Sequence, residues 1–140
     1  MHENDISKAI IGAAIEVHRI LGPGLPECAY EQALCHELHL RGLNFERQRG
    51  VPVIYKGVKL ATDLRLDLLV EEKVIVDLKA REQLSEIDKP QLLTYLRLSG
   101  LHLGLIINFH SAVLKSGVHR VVNQLPEESI VTSATSASLR

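Results

Sequence analysis

The chain has 140 residues and a hydrophobic content of 46%, which suits one domain with a sizeable core. Its formal net charge of −1 excludes a global attraction to nucleic acid or to an anionic membrane, so phosphate binding would need a local basic patch. An apolar run of about 18 residues and a basic-then-apolar start are both missing, which predicts a cytoplasmic protein without membrane contact.

Cysteine use also indicates a reducing compartment. Cys28 and Cys35 are the only cysteines. On one helix they would lie about 10 Å apart along the axis. A disulfide needs Cα atoms within about 7 Å, so we expect two buried free thiols.

The first part of the chain predicts two helices. Apolar residues recur at helical spacing over residues 4–20, and Asn4 or Asp5 could cap the start. The segment LGPGLP, residues 21–26, carries two glycines and two prolines and interrupts the helix. A second helix is predicted over residues 26–41.

From Asn44 onward the pattern changes to strands. Residues 45–55 read as a strand and Gly57 as a turn. Residues 63–70 alternate with a period of two. After the short polar turn EEK, residues 71–73, the apolar segment VIVDLKA, residues 74–80, is expected to pair with that strand in antiparallel orientation.

The remaining chain predicts a helix and a buried strand. Residues 85–99 are expected to be helical, residues 102–109 form a continuous apolar strand, and residues 113–122 add a hairpin or a short helix. The predicted order is α–α–β–β–β–β–α–β, a mixed α/β sheet with helices packed on it. Residues 1–124 are predicted to form one domain and residues 125–140 a flexible C-terminal tail.

The segment VIVDLKA places two charges in the most apolar strand of the chain. Because side chains alternate across a strand, Asp77 and Lys79 share one face with Ile75. The other face, expected to be the core face, carries Val74, Val76, Leu78 and Ala80.

Asp67, on the preceding strand, is expected to point away from Leu66 and Leu68. A three-residue turn can bring the two strands side by side, so that Asp67, Asp77 and Lys79 converge at one end of the sheet. Buried charges are either paired or bound to a metal ion. The pattern is therefore compatible with an ion pair at the sheet surface or with a divalent-ion site held by two carboxylates.

Several motifs together resemble one family. An Asp at the end of one strand, followed by Asp-x-Lys in the next, resembles the PD-(D/E)xK nuclease superfamily. GLPECAY, residues 24–30, fits Gly-x-x-Glu-x-x-Tyr, and QLLTYL, residues 91–96, fits the Gln-x-x-x-Tyr element of RecB-like exonucleases. With LIINF, residues 105–109, the set is similar to the bacterial GxxExxY protein family, a RecB-like branch of that superfamily, over about residues 5–123.

The resemblance implies a restriction-endonuclease-like core, a mixed central β-sheet flanked by helices, and a role for each matching residue. The implied metal-binding groups are the carboxylates of Asp67 and Asp77, the backbone carbonyl of Leu78 and the additional acid Glu27. Lys79 is the implied catalytic lysine. Gln91 and Tyr95 lie one helical turn apart and could reach the site or the substrate backbone.

The implied activity is hydrolysis of nucleic acid by a phosphodiesterase that depends on Mg²⁺ or Mn²⁺, with DNA as the expected substrate. The family usually carries Glu at the position of Asp77, which leaves the choice of metal open. A non-catalytic module of the same fold that binds nucleic acid or a protein partner is the alternative, and a homodimer is compatible with either. A structural dimerisation domain with an incidental ion pair is a third interpretation.

Individual residues keep simpler interpretations. Glu27 could be a helix-start acid, and Tyr95 a core aromatic with its hydroxyl at the rim. His18 could brace the LGPG loop or be a half-buried histidine with its hydrogen bonds made. HELH, residues 36–39, spaces its histidines one position too closely for a His-Glu-x-x-His zinc motif. Basic residues of the first hairpin could contact phosphates or protect an edge strand.

Overall fold

A computed structural model describes residues 1–127, which contain three α-helices, five β-strands and one short 3₁₀ helix. The helices are α1 (Glu3–Leu21), α2 (Glu27–Leu40) and α3 (Asp88–Ser99). The strands are β1 (Phe45–Tyr55), β2 (Val58–Val70), β3 (Val74–Lys79), β4 (Leu103–Asn108) and β5 (Val118–Val122). The 3₁₀ helix, Leu114–Gly117, leads directly into β5.

One mixed sheet positions the rest of the molecule. Its strand order is β1-β2-β3-β4-β5, and every neighbouring pair is antiparallel except β3 and β4, which are parallel. A parallel pair needs a crossover connection, and α3 supplies it. The mixed sheet flanked by helices confirms the predicted fold class.

Helices cover both faces of the sheet. Helices α1 and α2 pack against the face that carries Val74, Val76 and Leu78. Helix α3 packs against the opposite face, where Ile75 is 1% exposed and contacts the cluster around Leu92. The prediction of a single core face on β3 was therefore wrong, because the crossover helix buries the second face as well.

The number of strands before α3 also differs from the prediction. Strand β2 runs without interruption from Val58 to Val70, so three strands rather than four precede α3. Lys56 and Gly57 both have positive φ and close a tight turn that pairs Tyr55 with Val58. The last strand, β5, follows the short helix predicted as one of two possibilities.

Details at the helix ends differ as well. The N-cap of α1 is His2 rather than the predicted Asn4 or Asp5, and the His2 Nδ1 atom accepts a hydrogen bond from the Asn4 N–H at 2.9 Å.

The two cysteines differ in exposure. Cys35 is buried, but Cys28 is exposed in the first turn of α2, so the expectation of two buried thiols was wrong for Cys28.

The C-terminal boundary is described only in part. Leu125 packs against the core under α1 and α2. From residue 128 onward the predicted flexible tail lies outside the described residues.

Candidate metal-binding and catalytic site

The candidate site lies where β2 and β3 stop pairing. The antiparallel ladder runs from Val70 opposite Val74 to Leu68 opposite Val76. One further step in the same register places Asp67 opposite Asp77. The two carboxylates thus lie immediately after the last pair of the β2–β3 ladder. The pairs within the ladder are apolar, and the first position beyond it carries an acid on each strand.

A break in the neighbouring ladder gives Asp67 its orientation. Strands β1 and β2 pair on both sides of Gln48 and Asp67 but not at these two positions. Gln48 has φ of 52°, a left-handed conformation that interrupts regular strand geometry. Across this break Leu66 joins the core under α3, whereas Leu68 joins the core under α1 and α2. The prediction that Asp67 opposes both leucines was therefore wrong.

Direct contacts join the predicted residues of β2 and β3. The Asp67 Oδ2 atom accepts a hydrogen bond from the Leu78 N–H at 2.9 Å. The Lys79 Nζ atom lies 3.3 Å from Asp77 Oδ1. The Asp67 carboxyl also raises the pKa of the Asp77 carboxyl. The structure thus brings Asp67, Asp77, Leu78 and Lys79 together, as the strand pattern predicts.

The electrostatics of this cluster favour a bound cation. Burial raises the pKa of Asp77 to about 6, and the nearby Asp67 charge adds to this effect, while Lys79 acts against it. Two close carboxylates facing one ammonium retain an excess of negative charge. A divalent cation would relieve that repulsion, and one or two carboxylates with waters are an ordinary Mg²⁺ donor set.

The donor set is small. Residues 1–127 contain no group of three or more His, Cys, Asp and Glu side chains arranged to hold a metal ion. The two carboxylates and a main-chain carbonyl of β3 would therefore have to suffice, with water completing the coordination. This composition fits a hard cation such as Mg²⁺ or Mn²⁺ and does not fit zinc, which prefers nitrogen and sulfur ligands.

Glu27 approaches the same cluster from α2. It is the first residue of that helix and its side chain is exposed. Partial burial raises the pKa of Glu27, the Asp67 charge raises it further, and the charges of Lys79 and Arg81 lower it. Glu27 is thus an exposed acid whose charge is felt by, and responds to, the charges of the cluster.

Tyr30 fixes the loop that carries Glu27. Its hydroxyl donates to the Gly22 carbonyl at 2.5 Å and accepts from the Leu25 N–H at 3.0 Å. The fully buried ring stacks on Phe109 with centroids 4.5 Å apart. The tyrosine of the Gly-x-x-Glu-x-x-Tyr motif thus acts here as a brace, a role that the sequence did not reveal.

Glu31 is a second residue whose contribution the sequence left undefined. It is 8% exposed, and its carboxylate pairs with Arg47 at 2.9 Å and accepts from the Gln48 side-chain amide at 3.1 Å. These contacts hold Gln48 at the ladder break opposite Asp67. Its position one helical turn after Glu27, on the same helix face, was the available signal.

No polar contact within the described residues joins Gln91 or Tyr95 to the acids. Gln91 is exposed on α3, and Tyr95 packs beside the core under that helix. Within residues 1–127, no hydrogen bond or ion pair links either side chain to the carboxylates or to Lys79. His18 contacts the Ser111 carbonyl through Nε2 at 2.8 Å, on the loop after β4 rather than on the LGPG loop.

Comparison with known proteins gives one family. A family model of the PD-(D/E)XK nuclease superfamily matches residues 4–121, and the chain belongs to this superfamily. Comparisons with curated proteins and with solved structures gave no match. The five-stranded mixed sheet flanked by helices agrees with a restriction-endonuclease-like core.

The described residues also bear on membrane association. None of the helices between residues 1 and 127 has both the length and the apolar composition required to cross a bilayer.

Proposed function

We propose that the protein is a divalent-metal-dependent phosphodiesterase that hydrolyses nucleic acid, DNA foremost, and that it belongs to the RecB-like GxxExxY branch. Superfamily membership supports a nuclease-type activity. The observation that carries the proposal is the pair Asp67 and Asp77 at the end of the β2–β3 ladder, with the Lys79 ammonium 3.3 Å from Asp77.

Asp67, Asp77 and the Leu78 carbonyl would hold Mg²⁺ or Mn²⁺. The Asp67 carboxylate is already tied to the Leu78 N–H, so its position relative to that peptide is fixed before an ion binds. When bound, the ion would polarise the phosphate and lower the pKa of a coordinated water. Asp77 is one methylene shorter than the usual glutamate, so it would hold the ion closer to β3.

The other residues would orient the reacting groups. The Lys79 ammonium, fixed by Asp77 on a strand with neighbours on both sides, would neutralise negative charge that develops on the phosphate. Glu27 would add a carboxylate that orients water. Gln91 and Tyr95 on α3 would contact the substrate backbone.

A non-catalytic module that binds nucleic acid or a protein partner is the second candidate. The tip of the β1–β2 hairpin favours it, because Ile54, Tyr55 and Val58 are all more than half exposed there. Exposed apolar residues grouped in this way mark surfaces that contact other molecules.

Calorimetric titration of Mn²⁺ tests the proposal, using the wild type, Asp77→Asn and Asp63→Asn. Asp63 is an exposed aspartate on the same strand as Asp67, so Asp63→Asn is the matched control. We expect the wild type and the control to bind Mn²⁺ and Asp77→Asn to lose most of this affinity.

A parallel cleavage assay on labelled single- and double-stranded DNA, with RNA as comparison, should follow the metal occupancy. A wild type that binds no Mn²⁺ at millimolar concentration would contradict the enzyme proposal. Metal binding without cleavage of any of these substrates would favour the non-catalytic module.

A further inference from the structure

A polar cleft lies on the face of the sheet that α3 covers, beginning on β4, one strand away from Asp77. Its volume is about 320 Å³. The loop after β3, the first turn of α3 and the segment between β4 and β5 surround it. Its polar lining includes Gln83, Lys89, Asn108, Ser111, Ser116 and His119, with Glu82 as an acidic lining residue.

The strand register relates this cleft to the candidate site. Asp77 pairs with Ile106 on β4, and Ile106 pairs with His119 on β5. The three residues therefore form one row across three strands, on one face of the sheet. Because neighbouring strands are about 4.8 Å apart, the Cα atom of His119 lies about 10 Å from that of Asp77. In the next row on the same face of the sheet, Lys79 pairs with Asn108, so the cleft begins one strand away from Lys79.

The charges in the cleft suit an anion. Lys89 is exposed, and no ion pair of the described chain neutralises it. Lys89 and His119 both line the cleft. Burial lowers the pKa of His119, and the Lys89 charge lowers it further. An ammonium, an imidazole and two serine hydroxyls provide the donors that phosphate oxygens accept from.

The walls of the cleft are held in place. The buried Asn108 side chain donates to the Arg81 carbonyl at 2.8 Å and accepts from the Arg81 N–H at 3.2 Å, which fixes the loop after β3. A Cβ at Gly117 would collide with the Asn108 carbonyl and the Ser111 side chain. The segment that carries Gly117 therefore packs against the end of β4 as closely as a glycine allows. The cleft therefore exists before any ligand binds.

We propose that this cleft binds a backbone phosphate of the nucleic acid next to the scissile one, with Lys89 as its ionic partner and His119, Ser111 and Ser116 as hydrogen-bonding groups. The inference rests on the proposed function, since it extends the same substrate along the sheet from Asp77. Glu82 also lines the cleft, and its charge opposes any bound anion. Contacts of the nucleic acid outside the cleft would therefore have to contribute to binding.

Binding of a labelled single-stranded DNA oligonucleotide tests the cleft, measured by fluorescence anisotropy in EDTA over a series of salt concentrations. We compare the wild type with Lys89→Ala, Lys89→Arg and Lys8→Ala. Lys8 is an exposed lysine on α1, across the sheet from α3, and serves as the matched control.

Loss of one phosphate contact should weaken binding in Lys89→Ala by about threefold to tenfold and reduce the salt slope by about 0.7. Lys89→Arg should retain most of the affinity, and Lys8→Ala should bind like the wild type. The proposal is overturned if Lys89→Ala keeps the wild-type affinity and slope, if Lys8→Ala weakens binding equally, or if the wild type does not bind the oligonucleotide.

The pKa of His119, measured by histidine NMR, distinguishes phosphate binding from a purely structural role of Lys89. A phosphate in the cleft should raise the pKa of His119 when the oligonucleotide is added to the wild type, and the rise should be smaller in Lys89→Ala. An unchanged His119 pKa in the saturated wild type overturns the proposal.

The binding assay contains no metal, so it is independent of catalysis. Weaker binding by Lys89→Ala in a protein that cleaves nothing supports the cleft and contradicts the proposed activity. If cleavage requires Asp77 but Lys89→Ala binds the oligonucleotide like the wild type, the proposed activity is supported and the proposed phosphate site is overturned.

Discussion

Asp77 is held in an environment that disfavours its own charge. Burial and the neighbouring Asp67 carboxylate together outweigh the attraction of Lys79, since the pKa of Asp77 rises to about 6. A residue kept in such a position reduces the stability of the metal-free protein at neutral pH. Sites built for binding an ion commonly carry this cost.

Removing that charge should stabilise the metal-free protein. We expect Asp77→Asn to raise the free energy of unfolding at neutral pH by about 1–3 kcal/mol, since each pKa unit corresponds to about 1.4 kcal/mol. Urea denaturation in EDTA measures the change. Asp63→Asn, on the exposed part of β2, should leave stability nearly unchanged. A destabilised Asp77→Asn would mean that the Lys79 pair outweighs the repulsion.

The same carboxyl predicts a pH dependence. Because the pKa of Asp77 in the folded protein lies above its ordinary value of 3.8, the folded state binds this proton more tightly than the unfolded chain. The stabilisation is complete below the ordinary value and is lost as the pH rises through about 6. Unfolding of the EDTA-treated wild type should therefore show a contribution that decreases with pH in this window. In Asp77→Asn this contribution should be missing.

Tyr30 gives a test of how α2 is positioned. Tyr30→Phe keeps the stack on Phe109 but leaves the Gly22 carbonyl and the Leu25 N–H without this partner. We expect a loss of about 1–2 kcal/mol in the free energy of unfolding. Tyr55→Phe, at the exposed hairpin tip, is the control and should change stability by less than about 0.5 kcal/mol. Equal changes in the free energy of unfolding for the two variants would contradict a bracing role of the Tyr30 hydroxyl.

At the scale of elements, the turn between β2 and β3 uses an unfavourable sequence. Glu71 and Glu72 both have positive φ, as in the type I′ turns that favour Asn-Gly, and the Lys73 N–H donates to the Val70 carbonyl at 3.0 Å. Glu71 also accepts from the Asn44 N–H at 2.6 Å through its side chain. Glu72 has only a 3.8 Å ion pair with Arg49 to offset its conformation.

Glycine at position 72 should therefore stabilise the hairpin. Relief of the left-handed conformation favours Glu72→Gly by about 1 kcal/mol, and the weak exposed ion pair offsets little of this. Thermal unfolding followed by circular dichroism measures the shift. Glu46→Gly, in the extended part of β1, should instead destabilise the protein. A lower melting temperature for Glu72→Gly would show that this turn is not strained.

Local pattern was sufficient for most elements but not for their irregularities. Residues 74–79 and 103–108 were found because apolar strands buried on both faces are continuous in sequence. The strand predicted over residues 63–70 began too late, because residues 58–62 are exposed on both faces and show no alternation of burial. The break at Gln48 could not be seen, since a left-handed glutamine held by Glu31 from another element leaves no local signature.

At the scale of the whole molecule, the site combines distant segments at one end of one sheet. Asp67 and Asp77 were predictable as neighbours because a short turn joins their strands. The cleft around Lys89 and His119 was not predictable, because it depends on the parallel pairing of β3 with β4 and on β5 beside them. Sequence order alone does not specify which strands become neighbours across a helix crossover.

The central place of β3 also determines what happens when synthesis stops early. Its two edges are covered by β2 and β4, and β4 is made only after α3. A chain truncated after Gly100 keeps VIVDLK but lacks its parallel partner, which leaves an unpaired apolar strand edge. We expect this fragment to aggregate, whereas a chain ending after Glu127 should stay monodisperse in light scattering. A monodisperse fragment would mean that α3 alone protects the edge. The strand that carries Asp77 and Lys79 is thus also the segment through which an unfinished chain would join another copy.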